Sequence, residues 1–149
     1  MKVTKIETLR CDAGWRTFSF LKVMTDDGLI GWSEYNESFG SAGLSQVIEA
    51  LSPTVIGKDP RQIELVNAHL RTITVQSRGG INRQAVAATE NALLDIKGKR
   101  PGVPGNAANA QARAFLRRGE APPAPDPSLP QKSFLLSVPF FHATGCFAI

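Results

Sequence analysis

Cysteine is scarce in this chain, with Cys11 and Cys146 the only two among 149 residues. Two such residues build neither a disulfide framework nor a CxxC metal pair, so a reduced, cytoplasmic setting is the default expectation. Long apolar runs are also lacking. The opening "MKVTKIETLRC" has no signal-peptide core. The late stretch "SFLLSVPFFHATGCFAI" is interrupted by Pro139 and His142, short of the roughly 20 apolar residues of a membrane span. A soluble protein with no membrane partner is expected. No serine stands in a nucleophile-elbow context, which removes a hydrolase reading. Gly79 and Gly80 precede a helical stretch without a lysine-bearing phosphate loop, so they read as a turn. His69 lies on a helical stretch and, with Asn67 as its nearest candidate partner, makes no metal site.

Positive charge is in excess, with a formal net charge of +4, yet no basic block exists. Lys2, Lys5, Arg10, Arg16 and Lys22 are interleaved with Glu7, Asp12, Asp26 and Asp27. A polyanion binder needs a clustered stripe of Lys and Arg, so no nucleic-acid partner is expected. What is present is a globular balance: 42% hydrophobic and 20% charged residues, enough for one core.

The order of elements follows from local pattern. Residues 2–11 carry Val3, Thr4, Ile6, Thr8 and Leu9, and residues 17–25 carry Phe18, Phe20, Leu21, Val23 and Met24; both suit strands. Asp26, Asp27 and Gly28 supply a tight turn, and 29–35 return as a third strand with Ile30 and Trp32 on one face. A sheet this small needs a cover. "GLSQVIEALSPTVIG" sets Leu44, Val47, Ile48 and Leu51 at helical spacing, closed by Pro53. "KDPRQIELVNAHLRTI" predicts a helix with Asp59 as N-cap, Pro60 at its first position, and a stripe of Ile63, Val66, Leu70 and Ile73. "INRQAVAATENALLDIKGK" places Ile81, Ala85, Ala88, Ala92 and Ile96 on one face, with alanines small enough for close packing. Three strands followed by three helices give an α+β class: a three-stranded antiparallel meander, then a three-helix bundle.

After residue 104 the character changes. Pro122, Pro123, Pro125, Pro127 and Pro130 exclude helix and central strand, and only "NAANAQARAFLRRG" has the alanine content for a short helix. Two units are therefore expected, a domain over 1–104 and an irregular Ala/Pro-rich tail over 105–149. The rest reads as a linker or a disordered tail, and a frameshift or a truncated, rearranged gene is the hypothesis for its origin.

"KVTKIETLRC", "VMTDDGLIGWSEY", "IGKDPRQIE" and "AVAATENALLDIKGKRPGVP" resemble, in order and spacing, the N-terminal capping domain of the enolase superfamily, in its mandelate racemase and muconate-lactonizing group. The resemblance implies a cap over a (β/α)-barrel that supplies a lysine base and three carboxylates holding magnesium, with an enediolate formed next to a substrate carboxylate. It also implies that "DAGWRT" and "NESFGSAG" are the two specificity loops. Trp15 and Phe39 would then offer apolar walls, Arg16 a partner for a carboxylate, and Asn36, Glu37 and Ser38 hydrogen bonds to hydroxyls. Glycine-rich flanks would permit closing of these loops as a lid. Plainer roles stand beside these: Trp15 as a staple onto its own domain, Arg16 as a surface charge, Glu37 as a solvated carboxylate.

The tail departs from the family pattern. It shows no strand–helix alternation, no lysine pair and no spaced carboxylates, and a barrel takes about 250 residues. The expectation is a detached capping domain of a sugar-acid dehydratase, racemase or cycloisomerase, inactive alone, with no cofactor in this chain and magnesium in the full-length family. The alternative is a small interaction module that self-associates, or binds another subunit, through an exposed barrel-facing surface.

Overall fold

The computed structural model describes residues 1–38 and 40–100, together with the backbone of 146–148. Its elements are β1 (Val3–Asp12), β2 (Thr17–Thr25), β3 (Ile30–Tyr35), α1 (Leu44–Val55), α2 (Ile63–Ile73), a short 3-10 turn at Val75–Ser77, α3 (Gly80–Lys99) and β4 (Cys146–Ala148). The expected α+β order, meander then three helices, is what forms. The possible helix in "NAANAQARAFLRRG" lies outside the described residues.

The β2–β3 hairpin closes where the turn chemistry pointed. Gly28 takes φ of 81°, the left-handed region open to glycine at little cost. Thr25 N–H donates to Leu29 O at 3.0 Å, and Thr25 Oγ1 donates to the same oxygen at 2.8 Å. Both β1–β2 and β2–β3 are antiparallel, with Arg10, Ser19 and Tyr35 in one row across the sheet.

The sheet has two faces, and only one is covered by helices. Leu21, Val23, Gly31 and Tyr35 are buried toward the helices, where they meet Leu44, Ile48, Leu70, Leu93 and Ile96. Ile30 and Trp32 do share a face, as alternation requires, but it is the opposite one. The covered face of β3 is Gly31, Ser33 and Tyr35, because α3 comes so close that only glycine fits in the middle. A Cβ on Gly31 would lie 2.2 Å from Ala92 O and 2.6 Å from Ile96 Cγ1. The small α3 positions Ala85, Ala88 and Ala92, buried as expected, permit that approach.

β3 is a sheet edge, since the strand order is β3-β2-β1-β4. Two of its outward backbone groups are taken up by α3. Asp95 Oδ2 accepts from Trp32 N–H at 2.9 Å, and Lys99 Nζ donates to Ile30 O at 2.7 Å. The same two side chains pair with each other one helical turn apart at 2.5 Å. An edge strand capped in this way offers little for a second chain to pair with.

Four details differ from the sequence expectation. Pro53 lies inside α1 instead of ending it; it occupies the last turn, and Ile56 N–H still closes on Ser52 O at 3.0 Å. Asp59 does not cap α2. Its carboxylate accepts from the backbone of Arg61 and its carbonyl from Gln62 N–H, forming a turn that delays the helix to Ile63. Ile73 ends the α2 stripe 52% exposed. Finally, the meander gains β4, antiparallel to β1 with Cys146 opposite Cys11, and Cys11 is disulfide-bonded. That overturns the expected reduced thiol: sequence separation says nothing about two strands meeting side by side. Among the described residues no helix is long and apolar enough to cross a membrane.

Gly31→Ala is expected to cost about 3 kcal/mol, the upper part of the overpacking range, because the nearest obstruction is backbone. Urea denaturation measures it. Lys99→Met should lose about 1–3 kcal/mol by leaving Ile30 O and Asp95 without their partner. Sizing chromatography at rising concentration should then show association through the uncapped β3 edge.

Candidate functional site

The strand directions bring the two proposed loops together. β1 and β3 flank the antiparallel β2, so both run the same way and end on the same side of the sheet. Residues 13–16 leave β1 there, and residues 36–43 leave β3.

The first loop is a closed turn. Ala13 N–H donates to Arg16 O at 3.0 Å, and Gly14, at φ of 82°, donates its N–H to Asp12 Oδ1 at 2.8 Å. Trp15 is 78% exposed and touches Phe18 edge-on, ring centroids 5.7 Å apart. Arg16 lies over the same ring: its guanidinium carbon sits 4.5 Å from the Phe18 ring centre, and Nη2 pairs with Glu34 at 3.0 Å. Phe18 in turn stacks on Phe20. The loop is thus stapled to β2 and β3 on the helix-free face, while most of the Trp15 surface still faces outward.

The second loop is held from within. Asn36 Oδ1 accepts from Ser38 N–H at 2.9 Å and also from Ser38 Oγ. Glu37 turns the other way, with its side chain only 9% exposed. It pairs with Arg10 of β1, accepts from Ser45 Oγ at 2.7 Å, and accepts from Ser45 N–H at 3.2 Å. Ser45 Oγ also lies 2.8 Å from Tyr35 Oη. Beside this cluster Thr8 Oγ1 donates to Glu49 Oε1 at 2.8 Å, tying β1 to α1. The solvated carboxylate expected at Glu37 is therefore a half-buried anchor. Phe39 lies outside the described residues.

Burial alone would raise the Glu37 carboxyl, but hydrogen bonds from Ser45 and Arg10 outweigh it and hold the group below its ordinary value. Burial raises the Tyr35 phenol. A carboxylate so held is a poor proton acceptor near neutrality. The outward groups of the two loops are the Trp15 ring, the Arg16 guanidinium and the Asn36–Ser38 pair, and none of them is a general base.

Arg10, Tyr35, Ser45 and Glu49 were not singled out by sequence. Arg10 and Glu37 are far apart along the chain, and only the strand register sets them side by side; Ser45 has no local signal beyond its place at the start of α1. Among the described residues no group of three or more His, Cys, Asp or Glu side chains could hold a metal ion. The described residues therefore do not fit the magnesium that the resemblance implies.

Because the folded Glu37 group is lowered, its stabilising effect is complete above the ordinary carboxylate value and fades as pH falls through the lowered one. The stability difference between the natural chain and Glu37→Gln should be largest near pH 7 and shrink on acidification. Urea midpoints at pH 7 and pH 3 check this, and a constant difference would contradict it.

Residues 6–106 match the family model described as the mandelate racemase / muconate lactonizing enzyme N-terminal domain. A D-galactonate dehydratase of Pectobacterium atrosepticum is 38% identical over 104 residues, which is 70% of this chain and 26% of the relative. The chain thus spans about a quarter of the length of the curated relatives it matches. Among solved structures, a candidate L-alanine-DL-glutamate epimerase from Burkholderia xenovorans strain LB400, bound to magnesium and fumarate, is 44% identical. Its TM-score is 0.64, over 66% of this chain and 24% of that one. A mandelate racemase/muconate lactonizing protein from Paracoccus denitrificans PD1222, complexed with magnesium, is 28% identical, with a TM-score of 0.62 over 68% and 28% of the two chains. With the same meander, helices and paired loops under that match, the chain belongs to the mandelate racemase/muconate lactonizing enzyme family of the enolase superfamily, and its described domain is that family's N-terminal domain.

Proposed function

We propose that this domain is the substrate-enclosing cap of a sugar-acid dehydratase, racemase or cycloisomerase, working with catalytic groups that lie outside the described residues. The observation that carries this reading is the convergence of residues 13–16 and 36–43 at one end of the sheet. There they present an outward indole, a guanidinium and a short polar turn, and no acid–base pair. The 38% identity to a D-galactonate dehydratase makes a polyhydroxy acid the favoured substrate class.

The groups divide the work. Trp15, largely exposed, would lie as an apolar wall against the substrate and keep water out. Arg16, held by Glu34, would set positive charge toward an acid, its position fixed by the Phe18 ring. Asn36 and Ser38 would hydrogen-bond hydroxyls from a turn that is already formed. Phe39 would add to the apolar wall. Glu37 would serve by fixing the loop from below. Apolar cover of a site strengthens every polar contact inside it, so such a cap contributes to chemistry it does not itself perform. Magnesium would be held by groups outside the described residues.

The test is a chimera. Residues 1–100 replace the corresponding segment of the Pectobacterium galactonate dehydratase, and D-galactonate is compared with other sugar acids. The expected result is retained magnesium-dependent dehydration with an altered preference among acids, and a KM for the preferred acid raised about tenfold by Arg16→Gln, the loss of one charged hydrogen bond. The 149-residue chain alone should show no turnover. Turnover of sugar acids by the pure chain, or a chimera indifferent to Trp15→Ala and Arg16→Gln, would overturn the reading.

A further inference from the structure

The two loops grip each other's strands. Arg10 belongs to β1, the strand that leads into residues 13–16, yet it holds Glu37 of the second loop. Glu34 belongs to β3, the strand that leads into residues 36–43, yet it holds Arg16 of the first loop at 3.0 Å. The pairs lie on opposite faces of the sheet. Arg10 shares its cross-strand row with Ser19 and Tyr35, both buried toward the helices. Glu34 shares its row with Phe20 and Leu9 on the other side.

From this the geometry points to one cooperative unit: residues 13–16 and 36–43 are cross-braced by Arg10–Glu37 on the helix face and Arg16–Glu34 on the opposite face. Arg10 and Glu34 are then positioning residues, each acting on a loop to which it does not itself belong. Neither loop can shift away from the sheet without loosening a bond to the strand that carries the other. The braces are unequal. Glu37 is 9% exposed in its side chain and takes two further bonds from Ser45. Arg16 and Glu34 are 36% and 47% exposed, so water and salt weaken their pair.

This deepens the cap reading, because coupled loops would make a change in one alter how the other meets a substrate. The coupling itself is read in the free 149-residue chain, so its failure and the failure of the chimera are separate results. Amide hydrogen exchange followed by mass spectrometry is the measurement. Glu34→Gln should speed exchange about two- to fivefold in residues 36–43 as well as in 13–16, the size expected of an exposed pair. Arg10→Met should speed it about tenfold or more in 13–16 as well as in 36–45. Raising the salt concentration should reproduce the Glu34→Gln pattern in the natural chain and add little to that variant. Faster exchange confined to the loop that lost its own ion pair would overturn the proposal. So would an equal rise across β2 and α3, which would report general loss of stability.

Discussion

The structure depends on how closely α3 can approach β3. At Gly31 the helix backbone comes within a distance that no side chain tolerates, and the alanines of α3 make the matching approach from the other side. Close packing of this kind gains dispersion contacts that a looser interface forfeits. It also brings Asp95 and Lys99 within reach of Trp32 N–H and Ile30 O. One contact thus buries the core face of the sheet and closes part of its exposed edge. Had β3 carried a larger residue at its centre, the helix would stand off, and the edge would be left to solvent or to another chain.

With the sheet held, its far end becomes a platform. β1 and β3 deliver two loops side by side, and polar bonds above and below the sheet fix them. The first loop is closed by its own backbone and by Asp12; the second is closed by Asn36 and anchored through Glu37. Both turns are already hydrogen-bonded within themselves. Positive φ at Gly14, Gly40 and Gly43 serves the shape of these turns. A turn already held by its own hydrogen bonds loses less conformational entropy on binding than an unformed one does.

The divergence between expectation and structure falls at identifiable residues. Ile30 and Trp32 are the most apolar side chains of β3, and hydrophobicity alone would aim them at the core. The core took Gly31, Ser33 and Tyr35 instead, since α3 needed room and Tyr35 Oη found Ser45. Asp59 and Pro60 carry a helix-start signature, but Asp59 is satisfied by Arg61 one step earlier, so a turn forms first. Glu37 looked like a solvated loop residue because nothing nearby in sequence could pair with it.

The sequence by itself determined the element order, the turn at Asp26–Gly28, the helix faces and the family, because these rest on local periodicity and on short motifs in a given order. Only the tertiary structure decided which face of β3 is covered, how its edge is closed, and which partner each loop charge takes. Those outcomes depend on the register of strands and the approach of a helix distant in sequence, and no local pattern encodes the distance between Arg10 and Glu37 or between Gly31 and Ala92.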